Sequence, residues 1–355
     1  MSIVIGSANG LSISPERICD FYDKNWARKI ALSDVVFYKW QFINTPFNPG
    51  IDECCVAVDG DEIIGVMGLN QRDFYSNGKK LKGAELTTWV VSETKRNNGS
   101  GPRMITYLKE QYDVMIGMGI SQAALPIYLR NGFRYLKAIP RYVAPIDWDS
   151  ISPFIETAPL AKKYNKEQFR PIDYSISQCS PNEIDNIYNS FKDKGCSFSR
   201  FSADIQWRYD QHPYFKYDTF IVNNSCFVSL RIDRDISGFV MAHCVDIFGD
   251  TADYKSAISA AVNFAKDNGA HAIDFFGTNT ALCSALNEIG LFSTLDHDFF
   301  KFPHLFHPVE IRNPATTSLI MWAKTGIGDL LDFGNLHVTK QDADFDRPTA
   351  QAFVK

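Results

Sequence analysis

Two similar stretches constrain the fold of this chain more than any other feature of its sequence. Residues 39–42 resemble residues 206–209 around a shared tryptophan, and a proline-aromatic pair follows each stretch. Both halves also end a helical pattern with a glycine close to an aromatic residue. Gly132 lies 92 residues after the first tryptophan, and Gly290 lies 83 residues after the second. Two matches in the same order at similar spacing indicate an internal duplication.

The apolar pattern sets the fold class. Short apolar strands, such as 54–58 and 63–69 around the turn residues Gly60-Asp61, alternate with amphipathic helices in both halves. This predicts an α/β (α+β) protein of two tandem domains, each with a mixed, mostly antiparallel twisted sheet flanked by helices. Prolines spaced along 140–171 mark the junction. We expect a first domain over 1–148, a linker over 149–172, and a second domain with a C-terminal tail over 173–355.

Composition and charge limit the classes of partner that this protein is expected to bind. The net charge of −5 and the lack of a basic block argue against binding of nucleic acid. The sequence contains no run of 18 apolar residues, so no membrane span is predicted. The eight cysteines form no Cys-x-x-Cys pairs and, with no signal-peptide pattern, predict buried thiols in a cytoplasmic protein. No metal site is expected, because the His-Glu-x-x-His spacing is missing. The oligomeric state stays open.

A glycine-rich turn carries the clearest chemical signal. The turn is Arg96-Asn97-Asn98-Gly99-Ser100-Gly101, between the predicted strand 85–91 and a helix opened by Pro102. Such a turn exposes backbone N–H groups beside the positive end of the helix dipole, which suits a pyrophosphate. Glycines there allow backbone conformations and a close approach that a Cβ would block. The turn lacks the lysine of a nucleotide-triphosphate loop.

This arrangement resembles the acyl-CoA pyrophosphate loop of the GCN5-related N-acetyltransferase (GNAT) superfamily, which has the pattern Arg-x-x-Gly-x-Gly. Residues 124–133 also resemble the closing helix of that superfamily, in which a tyrosine lies four residues before Gly-Phe, and Tyr128 meets the spacing. The resemblance covers about residues 15–140. It implies tandem GNAT-like domains and acyl-CoA as cosubstrate, either acetyl-CoA or one with a longer or hydroxylated acyl group. The cofactor-binding residues it implies are Val90, Val91, Arg96, Asn97, Asn98, Gly99, Ser100, Gly101, Ser121 and Tyr128.

The resemblance also implies direct attack of an amine on the CoA thioester. The backbone N–H of Val91 or of a neighbour would stabilise the oxyanion, and Tyr128 would protonate the leaving sulfur. The base is open between two candidates. Glu85 is the local carboxylate, and the departing thiolate could take the proton itself, since an amine beside C–O bonds and a thiol titrate at similar pH. All seven histidines lie at 212 or beyond, outside the first half.

The second half is predicted to be a degenerate copy that shapes the acceptor site. Residues 246–251 place two aspartates where phosphate would lie, and Leu286 takes the position of Tyr128. The acidic tail 342–348 is interpreted as solvated, or as folding back on the acceptor. Candidate acceptor-binding residues are Trp40, Asn44, Trp89, His297 and His304.

The whole chain is more loosely similar to tandem-domain members that acylate nucleotide-linked amino sugars, such as thymidine-diphosphate (dTDP) 3-amino-3,6-dideoxyhexoses, for O-antigen and lipopolysaccharide synthesis. The acceptor would then be a small molecule. Another amine, such as an aminoglycoside, a polyamine or a peptide, is an alternative, and the acidic net charge suits cationic acceptors. A third alternative is a module that binds CoA and catalyses no reaction.

Overall fold

The computed structural model describes residues 3–27, 29–151, 169–234, 238–295, 305–306, 309–310, 316–324, 332–343 and 347–348. Its helices are α1 (Pro15–Asn25), α2 (Val35–Phe42), α3 (Ser100–Gln111), α4 (Leu125–Arg130), α5 (Trp148–Ile151), α6 (Pro181–Lys192), α7 (Ser202–Ile205), α8 (Tyr254–Asp267) and α9 (Thr280–Glu288). The predicted α/β class with two helix-flanked sheets is confirmed.

The first sheet is built mainly from the N-terminal half. In spatial order it contains β1 (Val4–Ser7), β2 (Cys55–Asp59), β3 (Glu62–Ser76), β4 (Lys79–Val91), β5 (Val114–Met118), β17 (Leu319–Ala323) and β6 (Arg134–Leu136). The far end of β3 also pairs with β9 (Cys196–Phe198), which in turn pairs with β18 (Leu336–His337). Along the main path, neighbours run antiparallel except β4 and β5, which are parallel.

The second sheet repeats this plan. Its spatial order is β8 (Ile176–Ser177), β10 (Asp218–Val222), β11 (Cys226–Arg234), β12 (Val240–Gly249), β13 (Ala272–Phe276), β7 (Arg141–Pro145) and β14 (Phe292–Ser293). Again one pair, β12 with β13, is parallel. A separate ribbon joins β15 (Leu305–Phe306) to β16 (Val309–Glu310). The shared order agrees with the duplication that the tryptophan segments indicate.

The two sheets exchange one strand each. The strand beyond β5 in the first sheet is β17, from the C-terminal half, and the strand beyond β13 in the second sheet is β7, from the N-terminal half. The predicted limits at 148 and 173 therefore do not separate the sheets. Prolines mark where the chain turns, whereas sheet membership depends on pairing partners up to about two hundred residues away.

Two short helices precede β2 in the first half. Helix α1 ends at Asn25, because Trp26 adopts an extended conformation. Helix α2 was not predicted, because apolar residues lie on all of its faces and leave no amphipathic pattern. Asp34 begins α2 by accepting hydrogen bonds from the backbone N–H groups of Val36 and Phe37.

Candidate active site

A gap opens in the first sheet between β4 and β5. Their pairing ends at Leu86 and Gly117, although β4 continues to Val91. The pairing of β3 with β4 shifts register near Gly68, which marks a bulge. A Cβ on Gly68 would overlap the Thr87 hydroxyl and lie 2.7 Å from Phe42 Cζ, so only glycine fits. The bulge diverts the end of β4 from β5 and leaves a cleft with a backbone edge.

The glycine-rich turn lies at the end of this strand, as predicted. Gly99 adopts a left-handed conformation with φ of 81° and is the residue that begins α3. In the described residues, the N–H groups of Asn97, Asn98, Gly99 and Gly101 have no hydrogen-bond acceptor. The turn therefore presents unpaired donors at a helix N-terminus, which is an arrangement that binds phosphate groups.

Side chains around the turn complete this concavity. Asn98 accepts a hydrogen bond from Ser100 N at 2.9 Å, and the Ser100 hydroxyl is buried with no partner in the part of the chain that is described. A Cβ on Gly101 would lie 3.0 Å from Trp89 Cζ2, which explains the second glycine. Arg96 is exposed at the rim and lies 3.8 Å from Glu93.

Tyr128 lies on the side of the first sheet that α3 and α4 cover. Its ring is 3% exposed and makes edge contacts with Trp89 and Phe133 at centroid distances of 5.4 Å and 5.0 Å. Burial raises the pKa of its hydroxyl, which therefore stays protonated at neutral pH. Within the described residues, this hydroxyl and the Trp89 indole N–H have no hydrogen-bond partner.

Glu85 lies on the opposite side of the sheet, in a cavity between the two halves. The cavity is lined by Phe37, Trp40, Gln41, Asn70, Glu85, Trp207, Arg208, Ala343 and Arg347. Glu85 Oε2 accepts a hydrogen bond from Asn70 at 3.4 Å and lies 3.6 Å from Arg72 Nη1. The structure thus brings Trp40 and Glu85 together, and a thioester in the gap would have Tyr128 on one side and Glu85 on the other.

The duplicated tryptophans meet at this cavity. The Trp40 indole N–H donates to the Trp207 carbonyl at 3.1 Å, and the Trp207 indole N–H donates to the Trp40 carbonyl at 2.9 Å. Their rings stack with centroids 5.5 Å apart. The reciprocal bonds relate the two copies by a local twofold arrangement. The Trp40 ring is buried and also lines the cavity, so its packing in the core is compatible with its predicted acceptor role.

The C-terminal segment 332–343 packs between the halves. Asp342 bridges Arg72 at 3.0 Å and Arg200 at 2.6 Å, and all three side chains are buried. Farther along, Arg347 donates to the Thr88 hydroxyl beside the gap. The interpretation of this tail as solvated is therefore wrong for Asp342, since the sequence pattern shows its charge but not its distant arginine partners.

The segment 246–251, predicted to have lost phosphate binding because of its two aspartates, needs correction in its local structure. Asp246 is not in a loop: it lies within β12, fully buried, and pairs with Arg200 at 2.7 Å. Gly249 has no room for a Cβ, because the Ser225 carbonyl occupies that place. Asp250 caps the following turn by accepting from Ala252 N at 3.0 Å. This helix start is closed by the protein's own carboxylate.

Other predicted residues lie apart from the cavity or outside the described part. Asn44 is exposed at the end of α2, and Ser121 is exposed, with its hydroxyl accepting from Ala124 N. Val90 packs into the core on the α1 and α2 side, and Val91 pairs with Gly65 at the cleft edge. His297 and His304 lie outside the described residues.

Sequence reasoning missed four polar residues of the cavity: Gln41, Asn70, Arg208 and Arg347. Gln41 and Arg208 follow directly after the two duplicated tryptophans, so the repeat itself was a usable signal for them. Among the described residues, no helix is long and apolar enough to cross a membrane. The same residues contain no group of three or more His, Cys, Asp or Glu side chains that could hold a metal ion.

Comparison with known proteins finds a family match within the first half. Residues 24–136 match the family model of an acetyltransferase (GNAT) domain. A GCN5-related N-acetyltransferase from Anabaena variabilis has a similar structure, with a TM-score of 0.54 and 10% identity, over 90% of this chain and 72% of that chain. Saccharomyces cerevisiae N-myristoyltransferase with bound myristoyl-CoA gives a TM-score of 0.51 and 9% identity, over 90% and 78%. No curated protein matches the sequence.

Proposed function

We propose that this chain, an N-acyltransferase whose residues 24–136 form a GNAT acetyltransferase domain, transfers an acyl group from CoA to a nucleotide-linked amino sugar. The acceptor class is exemplified by a dTDP-3-amino-3,6-dideoxyhexose, and the role is synthesis of bacterial surface polysaccharide. The observation that carries the acyl-CoA part is the turn 96–101, with unpaired N–H groups at the start of α3 beside the open edge of β4.

The cavity between the halves supports an anionic acceptor. Among the described residues, the guanidinium groups of Arg208 and Arg347 and the carboxylate of Glu85 line it. The guanidinium groups suit the phosphates of a nucleotide diphosphate, although the chain as a whole is acidic. Aromatic faces of Trp40 and Trp207 could pack against a sugar or base.

The proposed reaction is direct acyl transfer. The neutral amine attacks the thioester carbonyl, a C–N bond forms, and the C–S bond breaks. A backbone N–H at Val91 or a neighbour stabilises the oxyanion. In one route Tyr128 gives its proton to the departing sulfur and the amine proton passes to Glu85; in the other, Tyr128 only donates a hydrogen bond to the sulfur and the thiolate takes the amine proton itself.

A different amine is the competing acceptor. Aminoglycosides, polyamines and peptides share the reacting group, and the net charge of −5 suits them. Arg208 and Arg347 in the cavity lining weigh against the polycations among them, which have no anionic group to pair with a guanidinium. A CoA-binding module without chemistry is the remaining alternative, and Tyr128 beside the cleft weighs against it.

The deciding experiment is a thiol-release screen with acetyl-CoA. The panel contains dTDP-3-amino-3,6-dideoxyglucose, an aminoglycoside, spermidine and a peptide with a free N-terminus. Thiol release with the nucleotide sugar alone supports the proposal. Release with spermidine or the aminoglycoside but not with the nucleotide sugar would overturn the acceptor assignment, and release with none would favour the non-catalytic module.

Glu85→Gln tests the base once an acceptor is found. Activity near that of the wild type would assign the proton to the leaving thiolate, whereas a loss of roughly 100-fold would assign it to Glu85. Asp113→Asn is a control, since Asp113 is a partly exposed carboxylate that pairs with Lys324 away from the cavity. Its turnover should equal that of the wild type.

A further inference from the structure

Two amide oxygens in the cavity are buried without partners. Gln41 is 5% exposed and Asn70 is 3% exposed. Within the described residues, Gln41 Oε1 and Asn70 Oδ1 have no hydrogen-bond partner. Leaving a buried acceptor unpaired costs about 1–3 kcal/mol, so such groups usually have a partner in the working molecule.

The orientation of Asn70 is fixed by Glu85. These two residues lie opposite each other on β3 and β4, and Asn70 Nδ2 donates to Glu85 Oε2 at 3.4 Å. Because the nitrogen is held by the carboxylate, the oxygen is the atom left over. Gln41 lies on α2, on another wall of the same cavity. Three groups that accept hydrogen bonds, two amide oxygens and one carboxylate, therefore line one small space.

Three acceptors suit a ligand with several N–H bonds. A protonated primary amine carries three such bonds and one positive charge. A carboxylate or phosphate placed there would face other oxygens and be repelled. The guanidinium groups of Arg208 and Arg347 line the same cavity and would suit an anionic group elsewhere on the same molecule.

We propose that Gln41 and Asn70 are specificity-determining residues whose amide oxygens, together with the Glu85 carboxylate, receive the amino group of the acceptor. This rests on the proposed function and adds the groups that recognise the amine. The amine binds as an ammonium ion with one N–H directed to each acceptor. It gives up one proton to bulk water before the attack, which frees the nitrogen lone pair, and the second proton passes to Glu85 or to the thiolate as the C–S bond breaks.

Propylammonium chloride is the binding probe, and it needs no turnover. Trp40 and Trp207 line the cavity, so tryptophan emission reports its occupation. Tetramethylammonium chloride is the matched control, since it has the same charge and no N–H bond. A saturable change with propylammonium and none with tetramethylammonium is expected. Equal responses to both ions, or none to propylammonium, would overturn the proposal.

Gln41→Met separates recognition from structure. Among the described residues, the Gln41 amide makes no hydrogen bond, so a methionine of similar size should leave the unfolding midpoint unchanged or raise it. The same change should weaken propylammonium binding by roughly 10-fold or more. Gln111→Met, at the exposed end of α3, should change neither quantity. Unchanged binding in Gln41→Met, or a lowered midpoint, would contradict the proposal.

Asn70→Leu is a second variant for the same test. It should also weaken propylammonium binding by roughly 10-fold. The experiments also separate a failure of this inference from a failure of the proposed function. Propylammonium binding that depends on Gln41, with no thiol release from any amine in the panel, would remove the proposed function and leave the amine site standing. Thiol release with an unchanged KM for the acceptor in Gln41→Met would keep the function and remove this inference.

Discussion

The same gap occurs in both sheets and is used differently. In the first sheet, β4 and β5 stop pairing at Leu86 and Gly117, and no described segment joins the two edges by backbone hydrogen bonds. In the second sheet, β12 and β13 stop pairing at His243 and Asp274, although β12 continues to Gly249. Here the C-terminal segment 336–342 lies in the gap.

Hydrogen bonds to both edges hold that segment. Val338 exchanges bonds with Thr278 beyond β13, and Thr339 donates to Asp246 on β12 at 2.7 Å. Lys340 contacts His243 at 2.9 Å and pairs with Asp274. The second cleft is thus filled by the chain itself. A duplicated fold can keep one cleft for a cosubstrate and use the other to anchor its own C-terminal segment.

Arg200→Met should give the largest effect, because it removes the ion pairs that hold the C-terminal segment in the gap of the second sheet. Arg200 is fully buried between Asp246 and Asp342, and its loss leaves two buried carboxylates without this cation. We expect the free energy of unfolding to fall by about 3–5 kcal/mol in urea titrations. Lys255→Met, which breaks an exposed pair with Glu288, should cost less than about 1 kcal/mol. Equal losses in the two variants would contradict the anchoring role.

Tyr128→Phe should give the next largest effect, in the first cleft. Turnover should fall by roughly 100-fold while acetyl-CoA affinity in isothermal titration stays the same, because the lost hydroxyl is the proposed acid. Tyr254→Phe is the matched control beside the second cleft: it also removes a buried hydroxyl that has no partner among the described residues. Its turnover should equal that of the wild type. Unchanged turnover in Tyr128→Phe would remove the acid role.

Low pH should weaken the ion pair of Asp246 in the gap of the second sheet, and with it the stability of the protein. Burial alone would raise the pKa of Asp246, but Arg200 and His337 outweigh burial and lower it to about 2. Since this is below the value in the unfolded chain, the stabilisation is complete above about pH 5 and declines as pH falls toward 2. Between pH 5 and 2.5, the wild type should lose about 1–2 kcal/mol more than Arg200→Met in urea titrations. Equal losses would exclude Asp246 as the source.

Arg96→Ala should give the smallest effect. Its side chain is 59% exposed at the rim of the turn, where solvent screens its charge. The dissociation constant of acetyl-CoA should rise by less than about 5-fold, and the difference should shrink in higher salt. Titration should show one acetyl-CoA per chain in the wild type. A second site would contradict the account of the filled cleft.

Local patterns predicted much of this structure. The hairpin around Gly60 and the turn 96–101 are both marked in the sequence by glycine residues, whose backbone is left-handed at Gly60 and Gly99. The resemblance that points to Tyr128 also rests on a local spacing, four residues before Gly132. Such features need no knowledge of distant parts of the chain.

The cavity and the second cleft could not be derived in this way. Asp342 meets Arg72 across 270 positions, and Trp40 meets Trp207 across 167. Neither the packing of the tail between the halves nor the exchange of β7 and β17 has a local sequence pattern. Each depends on contacts with residues that are distant along the chain. The amide oxygens of Gln41 and Asn70 became visible only when their lack of partners could be seen.

The strand exchange has a consequence for synthesis on the ribosome. The first sheet is completed by β17, at residues 319–323, between strands that end at residues 118 and 136. The edges of β5 and β6 in the nascent N-terminal half therefore stay unpaired until residues 319–323 have been synthesised. Its partner in the exchange, β7, leaves the ribosome more than one hundred residues before the sheet that receives it is complete. Neither half can finish its sheet alone, so the first sheet and its cleft are complete only once β17 has been translated.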